Sequence, residues 1–246
     1  MAASETERNQ TAWNAGRYEA WVKAEGAPEE LAQKIAADPR HIARRILPYL
    51  GDVAGKRVCN LQGSMGKVAV ALALLRGEVT VIDFAVANER YALELASAAG
   101  VRLDYIVRDV MEASALGLKP FDAVVMELGV LHYHQDLEAF FAVCAAITAR
   151  GGALVLCDFH PVQRKLFSPL ATNPANYFDA SLVTGDVPNP TGEGEPLGQC
   201  VYRFWTLGEI VTAAAGADFD IVRLDETPDW DDPNIPGTFT LVARRR

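Results

Sequence analysis

The chain has 246 residues, half of them apolar and 22% charged, which is enough for one buried core with an appendage. Its formal net charge of −9 argues against a nucleic-acid partner, because such proteins draw most of their affinity from basic surface. No apolar run approaches the roughly 20 residues of a membrane span, so we expect a small-molecule substrate and no membrane partner.

The first 50 residues are predicted to form a helical arm. Trp13, Tyr18 and Trp21 are spaced to share one side of a first helix, and Asp38 followed by Pro39 is the cap and first-turn proline of a third helix. Two interpretations stay open. The arm packs on the main sheet as an amphipathic layer, or it acts as a lid in which Tyr18 or Trp21 closes over a ligand.

Residues 56–83 organise the rest of the chain and read KRVCNLQGSMGKVAVALALLRGEVTVID. A short apolar run enters a glycine-bearing turn, an alanine- and leucine-rich helix follows, and a β-branched run ends in Asp83. This order predicts two parallel strands joined by a right-handed crossover, with the turn and Asp83 at the carboxyl edge, where open α/β sheets bind ligands. Because an acid at this place accepts hydrogen bonds from a ribose diol, the ligand should carry a ribose.

Strands and helices continue to alternate after Asp83. A helix is predicted over 88–99, a third strand over 102–107, a fourth over 121–126, a helix capped by Asp136, and a fifth strand over 153–157. This alternation is typical of a doubly wound parallel sheet with helices on both faces. The four cysteines lack metal-type spacing and the N-terminus is polar with no signal-like core, so we expect reduced thiols in a cytoplasmic protein.

The alternation breaks between residues 161 and 204, where six of the thirteen prolines fall. A connection of this length is more often functional than idle, so we interpret it as a substrate cap with Phe167, Tyr177 and Phe178 on its apolar underside. A helix over 206–215 and two strands, 219–224 and 238–243, complete the chain. The link between those strands holds no helix, so they should pair as an antiparallel hairpin.

From about residue 56 to 244 this layout resembles the class I S-adenosylmethionine (SAM)-dependent methyltransferases, of the small-molecule type. The first motif of that family, an acid, a hydrophobic residue and alternating glycines, is matched by Asn60, Leu61, Gln62, Gly63, Ser64, Met65 and Gly66. The resemblance implies a seven-stranded, mostly parallel sheet of order 3-2-1-4-5-7-6 with the last strand antiparallel. With the arm and the cap predicted above, the expected organisation is an N-terminal helical arm or lid over 1–50 and a SAM-binding domain over 51–246 that carries the cap at 161–204.

The resemblance further implies a set of cofactor-binding residues. Asp83 matches the ribose-binding acid, with Phe84 after it, and Asp109 with Val110 matches the pair that recognises adenine. The stretch FDAVVMELGVLHYHQDL resembles the fourth-strand motif, so Glu127 and Leu128 join the set, and Tyr18 joins it as the lid residue.

The first motif departs from the family pattern at three positions. Asn60 replaces the usual acid, and Gln62 and Ser64 stand where the family generally has glycine. Asn and Ser can still hydrogen-bond an amino acid moiety, but the side chains at 62 and 64 must turn away to let a methionine tail pass. Weakened or altered cofactor binding is therefore an open alternative, as is a SAM-binding protein without transfer activity.

An NAD(P)-dependent oxidoreductase is a weaker alternative. A dinucleotide fingerprint needs three glycines, and this turn holds only Gly63 and Gly66. No Tyr-x-x-x-Lys pair of the short-chain dehydrogenase type occurs in the sequence. We therefore expect SAM as the cofactor and a methyl transfer to an oxygen or nitrogen nucleophile.

Candidate catalytic residues gather at the predicted carboxyl ends of strands four and five. A methyltransferase must align its acceptor, exclude water and, for an oxygen or protonated amine acceptor, remove a proton. His160 is the first candidate for the base, while His132 could equally orient a ligand, His134 could start the next helix and face solvent, and Tyr133 could orient a substrate or pack.

Two carboxylates and the histidines of this region leave further alternatives open. Glu127 and Asp158 could balance a sulfonium or hold an amine, or could instead bind neighbouring backbone amides. The His-x-His spacing is weak evidence for a metal, and we predict none. An acidic protein with an aromatic-lined cap is expected to take a small, partly apolar, neutral or cationic metabolite.

Overall fold

The computed structural model describes residues 5–168, 176–187, 189–192 and 195–246. The predicted cap at 161–204 thus lies partly outside the described residues, at 169–175, 188 and 193–194. The helices are α1 (Glu5–Asn14), α2 (Arg17–Glu25), α3 (Pro28–Ala37), α4 (Pro39–Ile42), α5 (Leu47–Leu50), α6 (Lys67–Leu74), α7 (Val86–Ala98), α8 (Leu137–Ile147) and α9 (Leu207–Gly216). The strands are β1 (Arg57–Leu61), β2 (Glu78–Asp83), β3 (Asp104–Val107), β4 (Phe121–Glu127), β5 (Thr148–Phe159), β6 (Leu182–Asp186), β7 (Gln199–Arg203), β8 (Phe219–Pro228) and β9 (Pro236–Arg245). Short helical turns of other types span Val110–Leu116, Leu131–Tyr133 and Gln163–Phe167.

Seven strands form one sheet in the order β3-β2-β1-β4-β5-β9-β8. The first five pair in parallel, and β9 pairs antiparallel with both β5 and β8. The link from β8 to β9 is too short to carry the crossover that a parallel pair requires, so the two strands form a hairpin. The predicted order 3-2-1-4-5-7-6, with the last strand antiparallel, is confirmed.

Helices cover both faces of the sheet because its strands are apolar on both sides. On one face, α3, α6 and α7 pack on residues such as Val58, Val81 and Val125. On the other, α8 and α9 pack on residues such as Ile82 and Val124. Neighbouring strand residues thus point into opposite layers, as the pleat requires.

The N-terminal arm is helical as predicted, but it is divided more finely. Gly16 adopts φ 59°, which ends α1 and separates Trp13 from Tyr18 and Trp21 on α2. The predicted third helix is also two helices, α4 and α5, since Pro48 in the first turn of α5 has no N–H with which to continue α4. The predicted single first helix carrying all three aromatic residues is therefore wrong.

The described part of the cap contains the antiparallel hairpin β6–β7, separate from the main sheet. Its apolar side packs on Ala12 of α1 through residues including Val183, Cys200 and Tyr202. Phe167 and Phe178, expected on the underside, are instead 56% and 78% exposed. In the described part of the chain, we find no helix that combines the length and apolarity needed to cross a bilayer.

Candidate cofactor site

A cavity of about 340 Å³ opens at the carboxyl edge of the sheet, where β1, β2 and β4 end. Its walls come from the β1–α6 turn, from the ends of β2 and β4, and from the first two helices of the arm. The lining residues are Trp13, Trp21, Glu25, Asn60, Gln62, Gly63, Ser64, Met65, Lys67, Val68, Asp83, Phe84, Asn88, Glu127, Leu128, Gly129 and Tyr133.

The β1–α6 turn has an unusual backbone. Gln62 and Ser64 both lie in the left-handed region, with φ of 48° and 50°, and Gly66 has φ 79°. A Cβ on Gly63 would lie 2.7 Å from Oδ1 of Asn60, so only glycine fits there. A Cβ on Gly66 would lie 2.7 Å from Cβ of Ala92, because α6 and α7 approach closely at this point. The turn therefore keeps the shape of a glycine-rich loop although two of its positions are not glycine.

Asp83 ends β2 directly behind this turn and is 6% exposed. Its Oδ2 accepts a hydrogen bond from the N–H of Ser64 at 3.0 Å, and its Oδ1 accepts one from the N–H of Ala85 at 2.9 Å. Burial raises the pKa of Asp83, and these backbone donors oppose the rise. Each carboxylate oxygen has a further lone pair, so Asp83 can still accept from a ligand in the cavity.

Several polar atoms at the cavity are buried without a hydrogen-bond partner. They are Oδ1 of Asn60, Oγ of Ser64 and Oε2 of Glu127. The other Glu127 oxygen accepts from Arg45 at 2.9 Å, and burial raises the Glu127 pKa against this partner. Oδ1 of Asn60 and Oε2 of Glu127 are hydrogen-bond acceptors without a donor. Two such acceptors at one cavity can bind an ammonium group, so these residues fit the amino acid end of SAM.

Gln62 turns away from the centre of the cavity. Its Oε1 lies 2.9 Å from Nε2 of His134, which donates to it in the Nε2–H tautomer. The His134 ring stacks on Phe140 at 4.0 Å and is 8% exposed, so the expectation of a solvent-facing His134 is wrong. Burial lowers the pKa of His134 to about 3, and it is neutral at physiological pH.

The predicted adenine residues lie beside the main cavity. Asp109 accepts from the N–H of Met111 at 2.9 Å, and the Val110 side chain is buried. Together with Phe84, Tyr133 and other residues they line a smaller space of about 40 Å³. The structure thus brings Asp109 and Val110 near the cavity but not into its wall.

Of the four predicted catalytic residues, Tyr133 lines the main cavity. Its ring packs against those of Trp13, Tyr202 and His132, with centroid distances of 6.0, 5.4 and 4.4 Å. Burial raises the pKa of Tyr133 well above the usual value. His132 lies on the far side of Gly129 in a separate space, and burial lowers its pKa to about 3. Both side chains are therefore neutral at physiological pH.

His160 lies at the end of β5 and does not line the main cavity. Its Nδ1 accepts from the N–H of Val162 at 3.1 Å, and its Nε2 lies 2.7 Å from Oε1 of Glu226 on β8. Burial lowers the His160 pKa, and Glu226 opposes this effect. The neighbouring Asp158 binds backbone amides, the second of its two predicted roles, and it accepts from Gly129, Val130, Leu131 and Phe159.

The arm supplies cavity residues other than those expected. Tyr18 does not line the cavity, because its hydroxyl donates to Glu94 and its ring packs on Tyr91 of α7. Trp21 lines it instead, with Nε1 donating to Asn88 at 2.9 Å. Trp13 also lines the cavity, although the sequence predicted only its place on the arm. Glu25 and Lys67, which pair at 2.8 Å, line it too, and no sequence pattern indicated them. Amphipathic spacing indicated that an aromatic side faced inward, but not which ring reached the ligand.

Comparison with known proteins agrees with this geometry. Residues 58–152 match the profile of the family described as methyltransferase domain. The ubiquinone biosynthesis O-methyltransferase of Xanthomonas axonopodis pv. citri is 29% identical over 136 residues, which are 55% of this chain and 54% of that protein. The chain thus aligns with about half the length of this curated relative.

Solved structures share the fold at low identity. The CcbJ methyltransferase of Streptomyces caelestis superposes with a TM-score of 0.66 at 17% identity, covering 99% of each chain. Magnesium protoporphyrin IX methyltransferase of Synechocystis PCC 6803, solved with SAH (S-adenosylhomocysteine), gives 0.63 at 14% identity, covering 99% of this chain and 100% of that one. The sheet and its edge cavity define a Rossmann-like methyltransferase fold. The chain has the fold of the class I SAM-dependent methyltransferases, and its residues 58–152 match the methyltransferase domain profile.

Proposed function

We propose that the protein binds SAM in the edge cavity and transfers its methyl group to a small-molecule acceptor, with oxygen as the attacking atom. The observation that carries the proposal is the buried Asp83 carboxylate behind a glycine-type turn of a class I sheet. The oxygen acceptor is supported by the O-methyltransferase relatives. Buried, free cysteines support action in the cytoplasm.

The cavity residues would hold the cofactor along its length. Asp83 would accept from the ribose hydroxyls, and Phe84 with Val110 would border the adenine. Oδ1 of Asn60 and Oε2 of Glu127 would accept from the amino group, which fills two open acceptor positions at once. The turn from Gln62 to Gly66 and the backbone of Leu128 would pass close to the methionine chain.

When bound, the cofactor supplies a methyl group already activated by a positive sulfur. The chain then has to orient the acceptor and keep water out. Trp13 of the arm and Tyr133 after β4 line this side of the cavity, and Tyr202 of the cap hairpin packs against Tyr133. Among the four candidate catalytic residues, Tyr133 and His132 are best placed to orient an acceptor, since they flank Gly129. A neutral His132 can accept the hydrogen of an acceptor hydroxyl.

A second function is a SAM-binding protein without transfer. Two observations favour it: side chains occupy the left-handed positions 62 and 64, and the space at Asp109 and Val110 is only about 40 Å³. Incubation of the protein with labelled SAM and a panel of phenolic, catecholic and amine acceptors separates the two functions. Methylated product supports transfer, whereas tight SAH binding with no product supports the binding-only function.

Calorimetry with SAH and with NAD tests the cofactor assignment. We expect SAH to bind and NAD to give no signal. Asp83→Asn keeps one side-chain oxygen that can accept from the backbone of the turn, but it loses the negative charge and one acceptor for the ribose hydroxyls. The affinity for SAH should therefore fall at least about tenfold. The control is Asp104→Asn, an exposed acid at the start of β3 that pairs with Arg102 just before it; this variant should bind SAH normally. Unchanged affinity in Asp83→Asn, with native circular dichroism, would refute the ribose assignment.

A further inference from the structure

Arg164 is a cation in the cap that no described carboxylate neutralises by direct contact. It lies on the helical turn Gln163–Phe167, with its guanidinium carbon 3.7 Å from the centroid of the Phe159 ring. Its Nε is buried without a hydrogen-bond partner, and burial lowers its pKa. Among the described residues we find no ion pair to this guanidinium. A partly buried arginine with a buried, unbonded Nε is costly to the protein by itself.

The nearby Asp158 is already engaged. Its two oxygens accept four backbone N–H groups, at 2.6 Å from Gly129, 3.1 Å from Val130, 2.9 Å from Leu131 and 2.7 Å from Phe159. It therefore fixes the loop after β4 and has little acceptor capacity left for a side chain. No Asp158 oxygen is hydrogen-bonded to Arg164 in the described part of the chain, and the guanidinium borders a cavity.

That space is a cavity of about 20 Å³ next to the cofactor site. Arg164, His132, Phe159 and Phe204 are among its lining residues. A Cβ placed on Gly129, which lines the main cavity, would lie 3.5 Å from Cε1 of His132 and 3.7 Å from Cε2 of Phe159. Gly129 thus lies between the main cavity and two residues that line the small one.

The small cavity is lined by one cation, Arg164, and one acid, Asp158, whose oxygens are already bound to backbone N–H groups. His132 carries no charge at physiological pH, and the Tyr133 and Tyr202 hydroxyls nearby stay protonated because burial raises their pKa values. The remaining lining residues are apolar: Leu131, Phe159, Pro161, Phe204, Trp205 and Ile210. A volume of this size holds roughly one water-sized group, so it would take the polar head of a ligand and leave the body outside.

We propose that Arg164 binds a carboxylate of the methyl acceptor, which makes the acceptor an aromatic or conjugated carboxylic acid. A guanidinium fork matches a carboxylate in a two-point hydrogen bond, and the rings of Phe159 and Phe204, which line the cavity, suit a planar body. The inference rests on the proposed function, and it replaces the expectation of a neutral or cationic metabolite.

Calorimetry on SAH-saturated protein tests this with paired probes: benzoate, 4-hydroxybenzoate, 3,4-dihydroxybenzoate and cinnamate, each against its carboxamide. At least one carboxylate should bind about tenfold tighter than its amide. Arg164→Gln should remove this preference while SAH affinity stays unchanged, and Arg164→Lys should restore part of it. The control is Arg150→Gln, an exposed arginine at the opposite edge of the sheet, which should keep the preference.

Equal affinity for every acid and its amide, or a preference that survives in Arg164→Gln, would overturn the proposal. Failure of SAH to bind the wild-type protein would refute the proposed function instead, and the same probes would then be titrated without SAH. A carboxylate preference lost in Arg164→Gln in that titration would still support the anion site, and its absence would overturn it.

Discussion

At the scale of single residues, Gln62 and Ser64 each carry a conformational cost in the site, as does Leu128 with φ 52°. Each holds a left-handed backbone that costs an ordinary residue about 1–2 kcal/mol. Gln62 offsets part of this through its hydrogen bond with His134. Ser64 has no compensating side-chain hydrogen bond, because its Oγ is buried without a partner. The turn keeps its shape because Asp83 and the hydroxyl of Tyr105 bind the backbone of Ser64 from both sides.

The same contrast predicts the effect of restoring glycine. Ser64→Gly should raise the free energy of unfolding by about 1 kcal/mol, because it relieves the backbone and removes an unsatisfied hydroxyl. Urea denaturation at constant pH measures this. Gln62→Gly is the matched variant and should gain less, since it also loses the contact with His134. A lower free energy of unfolding in Ser64→Gly would mean that the hydroxyl makes an interaction whose stabilising effect exceeds the backbone strain.

At the scale of elements, the cap hairpin and the first helix pack against each other, and we expect them to act as one lid. The buried Asn9 of α1 pairs with the free edge of β7, where its Oδ1 accepts from the N–H of Val201 at 2.9 Å and its Nδ2 donates to the Val201 carbonyl at 3.3 Å. Gly198 lets the two elements approach, since a Cβ there would lie 2.7 Å from Cβ of Ala12. Trp13, one residue further along α1, lines the cofactor cavity.

Gly198→Ala should therefore open the lid without unfolding the sheet. The added methyl group pushes α1 away, so amides in 5–14 should exchange at least about tenfold faster, and SAH affinity should drop several-fold. Hydrogen exchange with mass spectrometry and calorimetry measure the two effects. Gly208→Ala is the control, because a Cβ at that position meets no atom within 4 Å. Normal exchange in α1 would show that the contact is dispensable.

At the scale of the whole molecule, the arm and the sheet share one core. Leu31 and Ile35 of α3 are 2% and 0% exposed and belong to the same apolar cluster as Val81 and Val125 of the sheet. Residues 1–50, predicted as an arm or lid, are therefore joined to the main domain from α3 onward. Because α3 shares this apolar cluster with the sheet, we expect the two to unfold together.

Leu31→Ala should destabilise the whole protein by about 2–5 kcal/mol, the usual range for a buried leucine. Because the core is shared, tryptophan fluorescence and far-ultraviolet circular dichroism should report one coincident transition in urea. The matched control is Leu93→Ala on α7, a leucine that is 41% exposed, with a change within about 0.5 kcal/mol. Two separate transitions in the Leu31 variant would show that α3 folds independently of the sheet.

The sequence by itself determined the order and type of the main elements and the edge of the sheet at which the cavity opens. Strand and helix periods, the turn at Gly63 and the acid at Asp83 are local signals, and short connections leave few ways to join them. It also predicted that Gln62 would turn its side chain away.

Only the tertiary structure decided which side chains meet. Gln62 and His134 are 72 residues apart, and Asn9 and Val201 are 192 apart, and no periodicity encodes such pairs. For the same reason Trp21 rather than Tyr18 lines the cavity, and His160 contacts Glu226 on a distant strand. Side-chain direction at a loop or a short helix depends on what packs against it, and here those partners come from the arm, the cap and the last hairpin.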